Sequence, residues 1–264
     1  MAGSDATSRK LVLSERQDDI VRLWLNRPER SNALVPELLE ALRDGLASAA
    51  AGRPAALVIS AKGRAFSTGG DIAGFLDHSE SLEALKTYSE RLVGLLNATI
   101  LDLLAFPAPV LCAVQGAVTG GSAAFPLASD MVLMSEEAFL QPYYVEVGFA
   151  PDGGWTALLP ERIGAARALE IQLRNRRLGA AELKELGVAS EIVPPGKLQD
   201  ALASELVRLR GKEAASVRAT RDLVRDAAWR EHVALRLEAE KTRFLELIAR
   251  REVVDRMREF VGRK

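Results

Sequence analysis

The chain is 264 residues long, enough for one large α/β domain with an appended part, and its 48% hydrophobic and 27% charged residues are the balance of an ordinary globular protein. Its 35 basic and 36 acidic side chains leave a net charge of −1, which excludes a global field favouring nucleic acid or an anionic membrane. A single cysteine excludes an intramolecular disulfide, and with only two histidines, His78 and His232, no metal site or histidine-centred triad is expected.

Met1 to Lys10 lacks the apolar core of a signal peptide, and no apolar stretch reaches the roughly 18 residues that would span a bilayer. A cytoplasmic protein with no membrane partner is the expectation. Lys10 to Glu15 and Ile20 to Asn26 are short and rich in Val, Leu, Ile and Trp, and the polar residues between them predict a hairpin. From Val35 to Ala50, Leu38, Leu39, Leu42 and Leu46 recur at helical spacing, ahead of a Gly52-Arg53-Pro54 stop.

Ala55 to Ala61, Val110 to Val114 and Met131 to Met134 are apolar runs of strand length. Between the first two, Leu82 to Leu104 has helical periodicity and stops before Phe106-Pro107. The alternation predicts βαβ units whose sheet is covered on both faces. Cys112 lies within one of the apolar runs and reads as a core thiol. Past the Pro194-Pro195-Gly196 break, Lys197 to Arg210, Lys212 to Asp226 and Trp229 to Arg250 are helical in pattern with no strand signal between them. The fold class is therefore α/β over residues 1–195, with a helical C-terminal region over 196–264.

Two glycine-bearing segments carry most of the chemical information. Ala65-Phe66-Ser67-Thr68-Gly69-Gly70-Asp71 and Gly116-Ala117-Val118-Thr119-Gly120-Gly121-Ser122 each follow a strand-like run, and each is small enough for backbone N–H groups to approach a ligand oxygen. Neither fits a dinucleotide fingerprint or a P-loop. As a pair they suggest an oxyanion hole.

These segments, together with Asn26-Arg27-Pro28-Glu29-Arg30-Ser31-Asn32-Ala33-Leu34, Gly148-Phe149-Ala150-Pro151-Asp152-Gly153-Gly154 and Leu159-Pro160-Glu161-Arg162-Ile163-Gly164, resemble the crotonase, or enoyl-CoA hydratase/isomerase, superfamily over nearly the whole chain. The resemblance implies a crotonase-like ββα spiral core, C-terminal helices used in trimer contacts, an acyl-CoA thioester as ligand, and no cofactor besides the CoA that the substrate carries. It further implies a homotrimer, or a hexamer built as a dimer of trimers.

Carried over by motif, the oxyanion donors fall on the backbone N–H groups of Gly70 and Gly121. The two glutamates with which hydratases activate water fall on Ala124 and Tyr144, neither of them a carboxylate. Asp152 matches a position that some relatives use as base or nucleophile, while Pro151-Asp152-Gly153 is also a turn sequence in its own right. Asp71, beside a donor, reads as the cap of the following helix rather than as an acid or base.

Glu146 is a second candidate carboxylate, and Tyr143 and Tyr144 are candidates to line an acyl or aromatic pocket. The resemblance also implies that Arg30 is placed for the CoA phosphates, that Ala33, Ala65 and Ser67 lie in segments bordering the pantetheine and adenine, and that Phe260, Arg263 and Lys264 are candidates to cover CoA from the closing helix. An enoyl-CoA double-bond isomerase with Asp152 as proton shuttle is the favoured expectation. A divergent hydratase using Asp152 or Glu146, and a non-catalytic acyl-CoA-binding subunit, are the alternatives.

Overall fold

A computed structural model describes residues 10–262. Among the described residues there are nine strands: β1 (Val12–Gln17), β2 (Ile20–Leu25), β3 (Ala56–Ala61), β4 (Val110–Val114), β5 (Ala117–Thr119), β6 (Met131–Ser135), β7 (Phe139–Gln141), β8 (Leu178–Gly179) and β9 (Glu191–Val193). The helices of the N-terminal part are α1 (Pro36–Ala51), α2 (Ile72–Asp77), α3 (Leu82–Leu104), α4 (Ala124–Ala128), α5 (Tyr144–Val147), α6 (Leu159–Ile163), α7 (Ala165–Leu173) and α8 (Ala180–Glu185). Four more follow the last strand: α9 (Leu198–Arg210), α10 (Ala214–Val224), α11 (Ala227–Ile248) and α12 (Arg251–Gly262).

The expected hairpin is formed, with β1 antiparallel to β2, but Arg16 and Gln17 belong to the strand. The turn is confined to Asp18-Asp19, where Asp18 adopts a left-handed φ of 55° that an aspartate tolerates. From β2 onward the large sheet is parallel, in the order β1-β2-β3-β4-β6-β9. The apolar runs are continuous because both faces are covered: Leu57, Ile59, Val110, Cys112 and Val114 enter the main core, while Ala56, Val58, Leu111 and Ala113 pack with Leu198, Leu202 and Leu206 of α9. Cys112 is a core thiol, its pKa pushed up by burial.

Helix α3 spans the predicted residues, opened by Ser81, whose hydroxyl accepts the Ala84 N–H at 3.0 Å. A second, three-stranded sheet, β5-β7-β8, has strands of only two or three residues. Among the described residues no helix is long and apolar enough to cross a membrane.

Candidate active site

The two glycine segments are stitched to one another. An isolated parallel bridge joins Ser67 to Val118, with the Ser67 N–H donating to Ala117 at 3.0 Å and the Thr119 N–H donating to Ser67 at 3.1 Å. A second bridge joins Leu34 to Gly70: the Leu34 N–H donates to the Gly69 carbonyl, and the Asp71 N–H donates to the Leu34 carbonyl. In a parallel bridge the residue between the two bonded positions directs its own amide away from the partner, so the Gly70 N–H is turned from Leu34. Gly69 is required here, since its φ of +76° is left-handed and a Cβ would stand 2.6 Å from the Thr119 carbonyl.

The other donor arises at a helix start. Thr119 is the cap of a 3-10 turn, Gly120–Ala123, that runs directly into α4, and Gly121 lies in its first turn, where N–H groups have no intrahelical acceptor. The Ser122 hydroxyl donates to the Ser67 and Thr119 carbonyls, and the Trp155 indole N–H donates to the Gly120 carbonyl at 2.8 Å. These bonds leave the peptide units around Gly121 little freedom, as a preorganised hole demands. Gly70 and Gly121 both line one cavity of about 470 Å³, within the ordinary range for a small-molecule site.

Asp152 stands beside Gly121 in that cavity. A Cβ built on Gly121 would lie 2.7 Å from Asp152 Oδ1, and one on Gly153 would overlap the Gly121 backbone. The turn carrying the carboxylate is thus pressed onto the second donor. Asp152 is only 8% exposed, and burial pushes its pKa up to about 7, against the lowering effect of the Tyr144 hydroxyl, which donates to Oδ1 at 2.6 Å. The Tyr144 pKa is also raised, first by burial and then by the neighbouring Asp152 charge, so the phenol keeps its proton and acts as donor.

The turn after Asp152 closes on Glu240 of α11. Its carboxylate accepts the N–H groups of Gly154, Thr156 and Ala157 at 3.0, 2.7 and 3.0 Å, and the Thr156 hydroxyl at 2.7 Å. Glu240 is buried, which raises its pKa while these bonds oppose the shift. Its distance in sequence from Asp152 hid it: nothing in its helical stretch distinguishes it from a surface glutamate.

Apolar residues make the rest of the wall. Phe75, Phe149 and Phe244, drawn from α2, the loop after α5, and α11, form a cluster with ring centroids 5.1 to 5.9 Å apart, and Leu92 and Leu96 of α3 complete it. Sequence reading named none of these five as site residues, because each fits a core position of its helix or loop equally well. Arg30, Ala33, Tyr143, Tyr144 and Phe260 do line the cavity. Arg30 donates to Asp71 Oδ1 at 3.1 Å with its side chain 49% exposed.

Three expected substrate contacts are placed differently. Glu146 is exposed and outside the cavity lining: within α5 it is Tyr144 and Val147, one turn apart, that turn inward. Ser67 is fully buried and donates to the Asn32 carbonyl at 2.7 Å, so it fastens one loop to another and does not line the cavity. Ala65 also lies outside the lining, its carbonyl accepting from Asn32 and Gln115. Lys264, like Arg263, is outside the described residues.

Asp71 is the cap of α2, accepting the Ala73 N–H at 3.2 Å, and it pairs with Arg27 at 2.7 Å as well as with Arg30. Although burial opposes it, the two arginines hold its pKa below the usual carboxylate value. Ala124 is completely buried in α4 and absent from the cavity wall, whereas the Tyr144 phenol lines it.

Known proteins resemble the chain in sequence and in fold. Residues 15–264 match the family model described as enoyl-CoA hydratase/isomerase. The chain is 33% identical over 215 residues to a probable enoyl-CoA hydratase, echA12, of Mycobacterium bovis, covering 80% of this chain and 75% of that one. It is also 30% identical to a trans-2-decenoyl-[acyl-carrier-protein] isomerase of Streptococcus mutans, over 88% of this chain and 89% of the relative. An enoyl-CoA hydratase structure from Bacillus halodurans superposes with a TM-score of 0.87 at 22% identity, covering 94% of this chain and 99% of that one, and so shares the fold. With two glycine segments stitched together, a buried carboxylate beside Gly121, and a match running over residues 15–264, the chain belongs to the enoyl-CoA hydratase/isomerase family.

Proposed function

We propose that the protein is an enoyl-CoA double-bond isomerase in which Asp152 is the proton shuttle. The thioester oxygen of a 3-enoyl-CoA lies between the Gly70 and Gly121 amides, and the Asp152 carboxylate removes a proton from C2. The C–H pair enters a dienolate whose negative charge rests on the thioester oxygen, where the two fixed amides stabilise it without reorganising. Asp152, now a carboxylic acid, returns the proton to C4, and the double bond ends between C2 and C3. The substrate itself supplies the CoA, and no further cofactor enters the scheme.

The observation that carries this reading is the single buried carboxylate beside Gly121, with a pKa near 7. Such a group is populated in both protonation states at neutral pH, as a shuttle must be. Paired-carboxylate hydration lacks its second group, given Ala124 and Tyr144. We assign the working state as a homotrimer or a dimer of trimers.

The test is a panel of 2-enoyl-, 3-enoyl- and aromatic acyl-CoA thioesters in deuterated water. Isomerisation of a 3-enoyl-CoA with deuterium uptake is expected, with kcat falling by at least about a hundredfold in Asp152→Asn. Formation of a 3-hydroxyacyl-CoA from the 2-enoyl substrate would transfer the assignment to hydration. Binding with no turnover or exchange would make this a non-catalytic acyl-CoA-binding subunit.

A further inference from the structure

Asp152 is gripped from two sides by groups that never need to touch a substrate carbon. On one side Tyr144 of α5 donates to Oδ1 at 2.6 Å and to the Asp152 carbonyl at 3.1 Å. The hydroxyl's single proton is directed at Oδ1, the closer oxygen, with the carbonyl as the weaker second acceptor, so one group sits against both the side chain and the backbone of Asp152. On the other side Glu240 of α11 collects the four donors of the 154–157 turn. That turn starts at Gly153 and Gly154, which have left-handed φ of +63° and +84°, and is pressed onto Gly121.

We propose that Tyr144 and Glu240 are positioning residues for Asp152: the phenol fixes one carboxylate oxygen so that the other exchanges the proton, and Glu240 fixes the turn that carries it. The proposal rests on the isomerase reading for its kinetic consequences, not for its geometry. Among the described residues, Tyr144 and Glu240 are the titratable groups acting on Asp152. Arg236, on the same helix as Glu240, donates to the Thr156 carbonyl, and the 3-10 turn and α3 bring Gly121 and Leu96, neither of which titrates. The two supports act on Asp152 with opposite sign. A hydrogen bond from Tyr144 favours the carboxylate, whereas the negative charge of Glu240 disfavours it.

The pH–rate profile for a 3-enoyl-CoA is therefore measured for the wild type, Tyr144→Phe and Glu240→Gln. Alongside it, the Asp152 carboxyl is titrated by infrared difference spectroscopy against Asp152→Asn, which requires no turnover. Tyr144→Phe is expected to move the acidic limb and the infrared midpoint upward, Glu240→Gln to move both downward, each by roughly one pH unit. In Tyr144→Phe kcat drops about tenfold or more while KM stays within about twofold, since the lost bond is to the base and not to the thioester.

Residues that merely hold the fold would lower the melting temperature and leave both midpoints in place. Unmoved midpoints, or midpoints moved in the same direction, overturn the proposal. If Glu240→Gln does not fold, the sign of the Tyr144→Phe shift decides alone. Opposed infrared shifts without isomerisation would uphold the positioning roles and reject only the assigned reaction.

Discussion

Two aspartates near the cavity illustrate how one residue type serves opposite ends. Asp71, paired with two arginines and capping a helix, has its pKa lowered; Asp152, buried against a phenol and a distant carboxylate, has its pKa raised to about 7. The signs fix the pH dependence of stability. A carboxyl whose folded pKa exceeds its unfolded value of 3.8 binds protons more tightly when folded, so its contribution falls as pH rises from about 4 to about 7. At 1.36 kcal/mol per unit the ionised Asp152 costs the fold on the order of 4 kcal/mol at pH 8. Asp152→Asn is expected to keep the Tyr144 bond and remove that cost. Its urea unfolding free energy should exceed that of the wild type at pH 8, by a margin that shrinks to nothing near pH 4. An equal margin at both pH values would contradict a buried, ionising Asp152.

At the scale of elements, helix α2 is too short to stand on its own hydrogen bonds and depends on what its cap holds. Asp71 joins it to the Pro28–Arg30 turn through Arg27 and Arg30, and Gly70 lies one residue ahead of this cap. Asp71→Ala loses the cap and leaves Arg27 without its buried partner, and a loss of about 2 to 4 kcal/mol is expected at pH 7 by denaturant titration. The loss should diminish as pH falls from about 4 through the lowered native pKa of Asp71, where the wild type gives up the same contacts. Activity that survives in the fraction still folded would mark Asp71 as structural, the role its place ahead of Ile72 implies.

Elements of this size also show where the sequence was readable. Helices α1 and α3 and the parallel strands β3 and β4 were legible because each buries enough apolar residues to impose a period or a continuous run. Strands β5, β7, β8 and β9 were not, since two or three residues carry no period. That Gly70 and Gly121 would border one cavity was legible from the paired glycine segments, whose small residues let the two backbones approach each other. Glu240 and the phenylalanine cluster were not, because their roles arise only when α11 folds back over a turn some 80 residues earlier.

At the scale of the whole molecule, one α-helix among the described residues has no fully buried side chain. Helix α10 has no buried residue, and it is held to the core by arginines: Arg221 and Arg225 each pair with Asp130 at 2.8 Å, and Arg225 donates to the Ala128 and Ser129 carbonyls at the end of α4. Two apolar side chains at its C-terminal end lie in solvent, Leu223 81% and Val224 71% exposed. Leu235 on the neighbouring α11 is 68% exposed. Solvated leucines on adjoining helices are what a surface between subunits supplies before assembly. A Leu223→Asp, Val224→Asp double variant places two charges on that face without touching the arginine anchors, so the subunit itself is expected to stay folded. On the assembly proposed above, light scattering should report trimers or hexamers for the wild type and monomers for the variant. A wild type that is monomeric at micromolar concentration, or a variant with unchanged mass, would rule out this face as the contact. Since α4 begins beside the Gly121 donor and ends under Arg225, the monomeric variant is also expected to lose part of its turnover, measurable as a lower kcat at a subunit fold confirmed by circular dichroism.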